Sequence, residues 1–205
     1  MFSLNDFYKD VIEWNSFSGN SYSDSKLVDV YSNLVEEEIN EMFHEVDEGS
    51  DLDFLAELVD SLVVGSFLNA IINKEDYTTY DREPELIDDL EQTLAKLKIH
   101  FNKKNHADNI SSILQILEDI SYSSDMDVIG ACEEIMKANW SKFPFVEAVN
   151  PQDEIKFIEK DIRYKGVTYE IKKDSKGQDR YVFKADTGKI VKPSTFEKAA
   201  LNDYI

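Results

Sequence analysis

Cysteine is almost absent from this sequence, which has one, Cys132, in 205 residues. A lone cysteine excludes an internal disulfide and any zinc site built from cysteines, and it fits a reducing compartment. The opening MFSLNDFYKD lacks the basic-then-apolar order of a signal peptide. No apolar run approaches the roughly 20 residues of a membrane span. We therefore expect a cytoplasmic protein without a membrane segment.

Basic residues are also scarce, with 22 Lys and Arg against 42 Asp and Glu and a formal net charge of −20. This balance disfavours nucleic acid or an anionic membrane as a partner, because both are negatively charged. Residues 1–150 carry 10 basic and 32 acidic side chains, whereas residues 151–205 carry 12 and 10. The shift predicts a domain boundary near 150, with a helical bundle before it and a small β appendage after it.

Apolar residues recur at helical spacing over most of residues 1–150, and at a period of two in residues 162–191. The pattern predicts a mainly α protein, an antiparallel helical bundle with a small C-terminal antiparallel β unit of two or three strands. The predicted helices run from Asn5 to Phe17, from Asp24 or Ser25 to about Glu48, from Asp51 to about Asn73, from Pro84 to Phe101, from Ile110 to Ser121 and, as the last one, from Asp125 or Asp127 to Phe143.

No Lys or Arg occurs in residues 27–73, and this stretch carries two pairs of acidic residues. Glu38 and Glu41 form the first pair, and Glu57 and Asp60 form the second, inside FLAELVDSLVV. A spacing of three residues places both carboxylates of a pair on one face of a helix. Two antiparallel helices joined by a short loop would set the pairs opposite each other.

The apolar neighbours of Glu57 and Asp60 predict a buried helix. Carboxylates cannot stay ionised there without a partner, because burying an unpaired charge is costly. A hard, oxygen-binding divalent cation such as Mg²⁺, with Mn²⁺ as a substitute, is the natural neutraliser. Residues 36–38 alone are more typical of a solvated helix face. The four acids together favour a metal site, which could hold one to three ions.

Magnesium suits phosphate chemistry, since it bridges phosphate oxygens and activates a bound water. Glu37, next to the predicted ligand Glu38, could orient that water or accept its proton. Asn139 and Lys142 also share a helix face, just before Pro144, and a lysine there would suit a triphosphate. From spacing alone, a surface lysine and a cap-like asparagine are the more common explanation.

Four segments, in order, resemble one enzyme superfamily. EEEINE, followed after 15 residues by ELVD, resembles the E-E-x-x-E … E-x-x-D signature of the all-α, MazG-like nucleotide pyrophosphohydrolases. That superfamily includes dimeric dUTPases and phosphoribosyl-ATP pyrophosphatases. KANWSKF is similar to the S-N-M-S-K segment of its smaller members, many of them viral. EWNSFSG resembles their first helix, and DTGKIVKPSTFEKAAL resembles their tail.

The resemblance implies Mg²⁺-dependent cleavage of (deoxy)nucleoside triphosphates between the α and β phosphates, giving a monophosphate and pyrophosphate. It implies a homodimer or homotetramer and leaves base and sugar preference open. Carried over by position, the metal ligands would be Glu38, Glu41, Glu57 and Asp60, with Glu37 and Glu38 catalytic. The substrate contacts would be Asn139 and Lys142 at the phosphates, Asn15 near the sugar or base, and Lys192 closing over the nucleotide.

Two non-enzymatic functions compete with this interpretation. The chain could be a helical interaction protein with a solvated acidic surface, or an acidic DNA mimic that inhibits a nucleic-acid-binding protein. Both require the acids to face water, whereas the pattern around Glu57 and Asp60 places those two toward the interior.

Overall fold

The computed structural model describes residues 2–74, 90–101 and 106–205, without the side chains of residues 47, 48 and 106–108. The chain is mainly α, with a small two-stranded antiparallel sheet, so the predicted fold class is confirmed. The elements are α1 Leu4–Ser18, α2 Leu27–Glu48, α3 Asp51–Asn73, α4 Leu90–Phe101, α5 His106–Ser123, α6 Val128–Trp140, α7 Pro151–Ile158, β1 Thr168–Lys173 and β2 Asp179–Lys184, with a final 3₁₀ turn at Asn202–Tyr204.

Serines cap two of the helices that carry predicted site residues. The hydroxyl of Ser3 accepts a hydrogen bond from the backbone N–H of Asp6, so α1 begins one residue before the predicted Asn5. The hydroxyl of Ser50 accepts from the N–H of Asp53 in the same way and caps α3. Asn5 and Asp51, where the sequence predicts these helices to begin, lie in the first helical turn, so neither can be the cap residue that precedes it.

Helix α3 is the central element of the helical core. Buried residues cover most of its circumference and pack against α2 and α5, so its sequence is apolar on nearly every face. By length and composition, α3 is the one helix among the described residues that could cross a membrane, contrary to the expectation that no segment approaches a span. Because 72% of its most apolar window is buried, and core helices pass the same test, this is weak evidence.

Helices α5 and α6 also differ from the sequence predictions. Helix α5 begins at His106, four residues before the predicted Ile110. Helix α6 ends at Trp140, and the prediction that it is the last helix was wrong, because α7 follows. The side chain of Asn150 accepts from the N–H groups of Gln152 and Asp153 and caps α7, whose first residue is a proline. The predicted helix from residue 84 is described only from 90 onward.

The β unit is a single hairpin. Strands β1 and β2 pair antiparallel, with Thr168 opposite Lys184 and Lys173 opposite Asp179. Ile190 adds an isolated bridge to Lys184 rather than a third strand. The hairpin packs through one cluster of apolar side chains, whose buried members are Ile158, Val167, Tyr181, Phe183, Ala185 and Val191.

The chain divides into two compact units. The first comprises residues 1–16, 20–134 and 200–205, and the second comprises residues 17–19 and 135–199. The division between the units falls inside α6, after Glu134, whereas the predicted boundary lies near residue 150; α7, β1 and β2 follow both. That boundary, taken as one between separate domains, stays a prediction.

The core position of α3 predicts a large cost for removing one of its buried side chains. Leu62 is fully buried, whereas Ile72 lies on an exposed part of the same helix. We expect Leu62→Ala to lower the free energy of unfolding by about 2–5 kcal/mol, since it leaves a cavity. Ile72→Ala should change it by less than about 1 kcal/mol. Urea denaturation followed by circular dichroism measures both, and equal effects would contradict a central α3.

Candidate metal centre

Three carboxylates from two helices meet on one side of the α2–α3 pair. Glu38 and Glu41 come from α2, and Glu57 comes from α3. Each offers an oxygen, and the three oxygens lie within 4.8 Å of one another. Glu38 and Glu57 are half-buried, and Glu41 is exposed, so the cluster is open to solvent at one side.

The short connection between α2 and α3 brings these residues together. Only Gly49 and Ser50 separate the helices, which pack along each other and therefore run antiparallel. The N–H of Gly49 donates to the carbonyl of Glu45 and closes α2, and Ser50 opens α3. Residues at similar distances from this turn lie side by side, as the sequence predicted for the acidic pairs.

Partial burial and repulsion between like charges together determine the electrostatics of the cluster. Partial burial, with the carboxylates of Asp60, Glu57, Glu41 and Glu37, raises the pKa of Glu38 from 4.5 to about 8. Partial burial, Asp60, Glu41 and Glu45 likewise raise the pKa of Glu57 to about 7. Every charged neighbour that shifts these two pKa values is itself acidic. The cluster therefore holds protons at neutral pH unless a cation replaces them.

A hydrogen bond between Glu38 and Glu57 shows how the protons are arranged. The carboxylate of Glu57 accepts from the carboxyl group of Glu38, and this bond opposes the rise in the pKa of Glu57. Oε2 of Glu57 is buried and has no hydrogen-bond partner in the described part of the chain. An unsatisfied buried carboxylate oxygen is costly, and a cation is one group that would satisfy it. The all-oxygen donor set fits Mg²⁺.

Asp60 and Glu45 complete the acidic surroundings. Asp60, on α3, is half-buried and is the largest charged contributor to the raised pKa values of both Glu38 and Glu57. Glu45 adds to the pKa of Glu57, and the sequence analysis did not single it out. Its spacing gave a signal, since it follows Glu41 by four residues and therefore shares that helix face. Glu37 is exposed beside the cluster.

Asn15 lies in a buried hydrogen-bond network of the first unit. Its side chain is 1% exposed, donates to the carbonyl of Val11 at 3.0 Å, and accepts from the hydroxyl of Tyr31 at 2.6 Å. Asn20 also donates to that hydroxyl, at 3.2 Å. The network fixes the start of α2 to α1. The role of Asn15 at the sugar or base stays a prediction.

The remaining predicted substrate contacts belong to the second unit. The ammonium group of Lys142 donates to the side-chain oxygen of Asn139 at 2.7 Å, so these two side chains meet as their spacing predicted. Lys142 lies beyond the end of α6 at Trp140. Lys192 is exposed, and its ammonium group lies 4.3 Å from the ring centroid of Phe196. Phosphate binding by these three residues stays a prediction.

In comparisons with protein-family models, with curated proteins and with solved structures, nothing matches this chain.

The raised pKa values predict that the metal-free protein loses stability as pH rises. The unfolded chain releases the protons of Glu38 and Glu57 near pH 4.5, whereas the folded chain holds them to about pH 8 and 7. The stabilisation is therefore complete below about pH 4.5 and is lost as pH rises toward 8. With a chelator present, the melting temperature should fall between pH 5 and 8.

Glu38→Gln should reduce this pH dependence, because the amide keeps the shape of the side chain and does not titrate. Glu133→Gln, which removes an exposed carboxylate from α6, is the control and should leave the slope unchanged. Scanning fluorimetry across the pH range measures all three proteins. An identical slope in the wild type and in Glu38→Gln would show that the cluster does not hold these protons.

Proposed function

We propose that this chain is a Mg²⁺-dependent nucleoside triphosphate pyrophosphohydrolase. The observation that carries the proposal is the buried, unpartnered oxygen of Glu57, set among carboxylates from two helices in the described structure. A solvated acidic surface gives no reason for such an atom, whereas a cation site does. The order of EEEINE and ELVD, which resembles the signature of MazG-like enzymes, supports the choice of reaction.

Glu38, Glu41, Glu57 and Asp60 would hold the cation. Their oxygens suit Mg²⁺ or Mn²⁺, and the exposed side at Glu41 leaves room for phosphate oxygens and water to complete the coordination. When bound, Mg²⁺ neutralises phosphate charge and lowers the pKa of a bound water. It would also displace the protons that Glu38 and Glu57 otherwise retain.

The reaction also needs a group that takes a proton from the attacking water. Water adds to a phosphorus atom, the bridge between the α and β phosphates breaks, and pyrophosphate leaves. Glu37 is exposed beside the ligand cluster and could accept the water proton or orient the water. Glu38 is the ligand next to it in sequence and is proposed as the second catalytic carboxylate.

The substrate contacts and the assembly are proposals of the same kind. Asn139 and Lys142 would bind phosphates, Asn15 would approach the sugar or base, and Lys192 would close over the nucleotide. A net charge of −20 makes a cation-bound nucleotide the fitting anionic substrate and disfavours nucleic acid. A cytoplasmic homodimer or homotetramer is the proposed form.

Magnesium should stabilise the folded protein through Glu57. A ligand that binds only the folded state, at 100 times its dissociation constant, adds about 2.7 kcal/mol. We expect Mg²⁺ or Mn²⁺ to raise the melting temperature of the wild type at pH 8 and to have little effect on Glu57→Gln. Glu133→Gln should respond like the wild type. An equal response in Glu57→Gln would remove Glu57 from the site.

Hydrolysis should depend on the same carboxylates. We expect the wild type with Mg²⁺ to release pyrophosphate and a monophosphate from at least one member of a panel of NTPs and dNTPs. Glu38→Gln and Glu57→Gln should lose about 100-fold or more of this activity, because a metal ligand is removed. Phosphate-specific chromatography identifies the products, and release of inorganic phosphate would contradict cleavage between the α and β phosphates.

If the protein binds Mg²⁺ but hydrolyses no nucleotide, the result would support the metal site and exclude the proposed reaction. A protein with neither property would favour the acidic interaction protein or DNA mimic.

A further inference from the structure

The outer edge of β1 has no backbone partner in the described structure. The sheet contains β1 and β2 alone, and the isolated bridges involve β2 and neighbouring loops. No backbone hydrogen bond outside the hairpin reaches a residue of β1 from the described parts of the chain. An edge strand presents a row of N–H and C=O groups on which another strand can pair.

The hydrogen bonds of β2 establish which residues of β1 face this edge. Tyr181 donates to the carbonyl of Pro144, and the carbonyl of Phe183 accepts from Val191, so the odd-numbered residues of β2 point away from β1. Its even-numbered residues therefore bond to β1, where they lie opposite even-numbered residues. The backbone groups of Tyr169, Ile171 and Lys173 point outward, to the unpaired edge.

The side chains along β1 differ between the two faces of the sheet. Tyr169 packs at 5.2 Å and 6.0 Å on the rings of Tyr181 and Phe183, which are buried. Tyr169 is itself 39% exposed, and Ile171, on the same face, is 54% exposed. The apolar face of the hairpin therefore continues to the edge without cover. The opposite face of β1 carries Glu170 and Lys172.

The sequence of β1 matches itself in one antiparallel register. A two-fold axis at Ile171 sets Ile171 against its own copy and Tyr169 against Lys173, which are the outward-facing residues that must exchange hydrogen bonds. The same axis places Glu170 opposite Lys172 twice, so each pair brings opposite charges together. The neighbouring register centred on Glu170 would instead set two carboxylates against each other. Charge thus favours the register centred on Ile171, which is the one that forms two pairs of opposite charges.

Two properties of the second unit favour pairing between copies. This unit carries 14 basic and 10 acidic side chains, in a chain of net charge −20, so pairing here avoids the repulsion that contact between acidic first units would meet. Lysines on an edge strand usually oppose pairing. Here Lys173 is engaged with Asp179 at 2.9 Å, and Lys172 donates to the carbonyl of Phe17 at 2.9 Å.

The geometry points to an interface in which β1 of one copy of this chain pairs antiparallel with β1 of a second copy, centred on Ile171, to give a continuous four-stranded sheet. The apolar face then runs across the two-fold axis, because Ile171 and Tyr169 of both copies lie on the same side. This interface uses none of the residues of the acidic cluster and does not depend on the proposed hydrolase activity.

Proline at position 171 tests the backbone pairing. The N–H of Ile171 faces the unpaired edge, so proline there removes no bond of the β1–β2 ladder, and edge strands tolerate it. It removes both central bonds between the copies, and we expect Ile171→Pro to weaken the pair by at least about tenfold. Sedimentation equilibrium of the full chain should show half the wild-type mass. Ile171→Lys, which keeps the N–H but removes the apolar contact, should act in the same direction.

Ile162→Lys is the matched control, since Ile162 is 86% exposed and lies outside the strand. Its assembly should equal that of the wild type. A wild type that is monomeric, or a mass unchanged by both substitutions at 171, would overturn the interface.

Cysteine cross-linking tests the register directly. Cys132 is buried, so an added cysteine would be the accessible one. Opposed residues of a hydrogen-bonded pair have Cα atoms about 5.5 Å apart, within reach of a disulfide. Under mild oxidation, Ile171→Cys should form a covalent dimer, whereas Ile162→Cys should form little. Equal cross-linking of the two variants would reject the axis at Ile171.

A charge exchange provides an independent test. Glu170→Lys or Lys172→Glu alone sets like charges opposite each other and should weaken the pair, and the double variant should recover it relative to Glu170→Lys. Because both proteins place the same lysine beside Lys184, that neighbour cannot account for the recovery. A double variant no stronger than the single one would contradict the Glu170–Lys172 pairing.

Discussion

The packing of α2 against α3 holds carboxylates from both helices close together, and this like-charge contact is the main constraint on the first unit. Oxygens of Glu38, Glu41 and Glu57 lie within 4.8 Å of one another, where ionised groups repel strongly. The apolar side chains of α3 stabilise the packing of the two helices, since residues such as Leu58 and Leu62 are fully buried. The fold can tolerate the repulsion in two ways, by keeping protons on the acids or by binding a cation.

These two ways connect stability to function. Protons on Glu38 and Glu57 account for a metal-free fold, and the hydrogen bond between the two side chains uses one of those protons. One oxygen of Glu57, Oε2, is buried without a partner in the described residues, and an unsatisfied buried carboxylate oxygen is costly. A divalent cation would bind this oxygen, and its two positive charges would replace the two protons on Glu38 and Glu57.

The sequence predicted that Glu38, Glu41 and Glu57 lie together because its signals are local, whereas their role as metal ligands stays a prediction. Helical spacing places Glu38 with Glu41, and Glu57 with Asp60. The short link at Gly49 favours antiparallel packing of the two helices. Burial was predicted less well. Glu41 is exposed, and Glu57 and Asp60 are half-buried rather than interior, because they lie on a stripe of α3 that is less buried than the rest of the helix. Helix α7 was missed because its short apolar pattern lay in the segment assigned to the β appendage, although Asn150 and Pro151 are a regular helix start.

The hairpin shows the limit of what a period of two can reveal. Alternation predicted strands near residues 169 and 181, and the structure places β1 and β2 there. Alternation does not say which strand is the edge, or which backbone groups point outward. That information comes from hydrogen bonds to Pro144 and Val191, which are distant in sequence from β1. Those bonds show which residues of β1 face outward. Once the outward residues are known, the charges of Glu170 and Lys172 on either side of Ile171 indicate a pairing register.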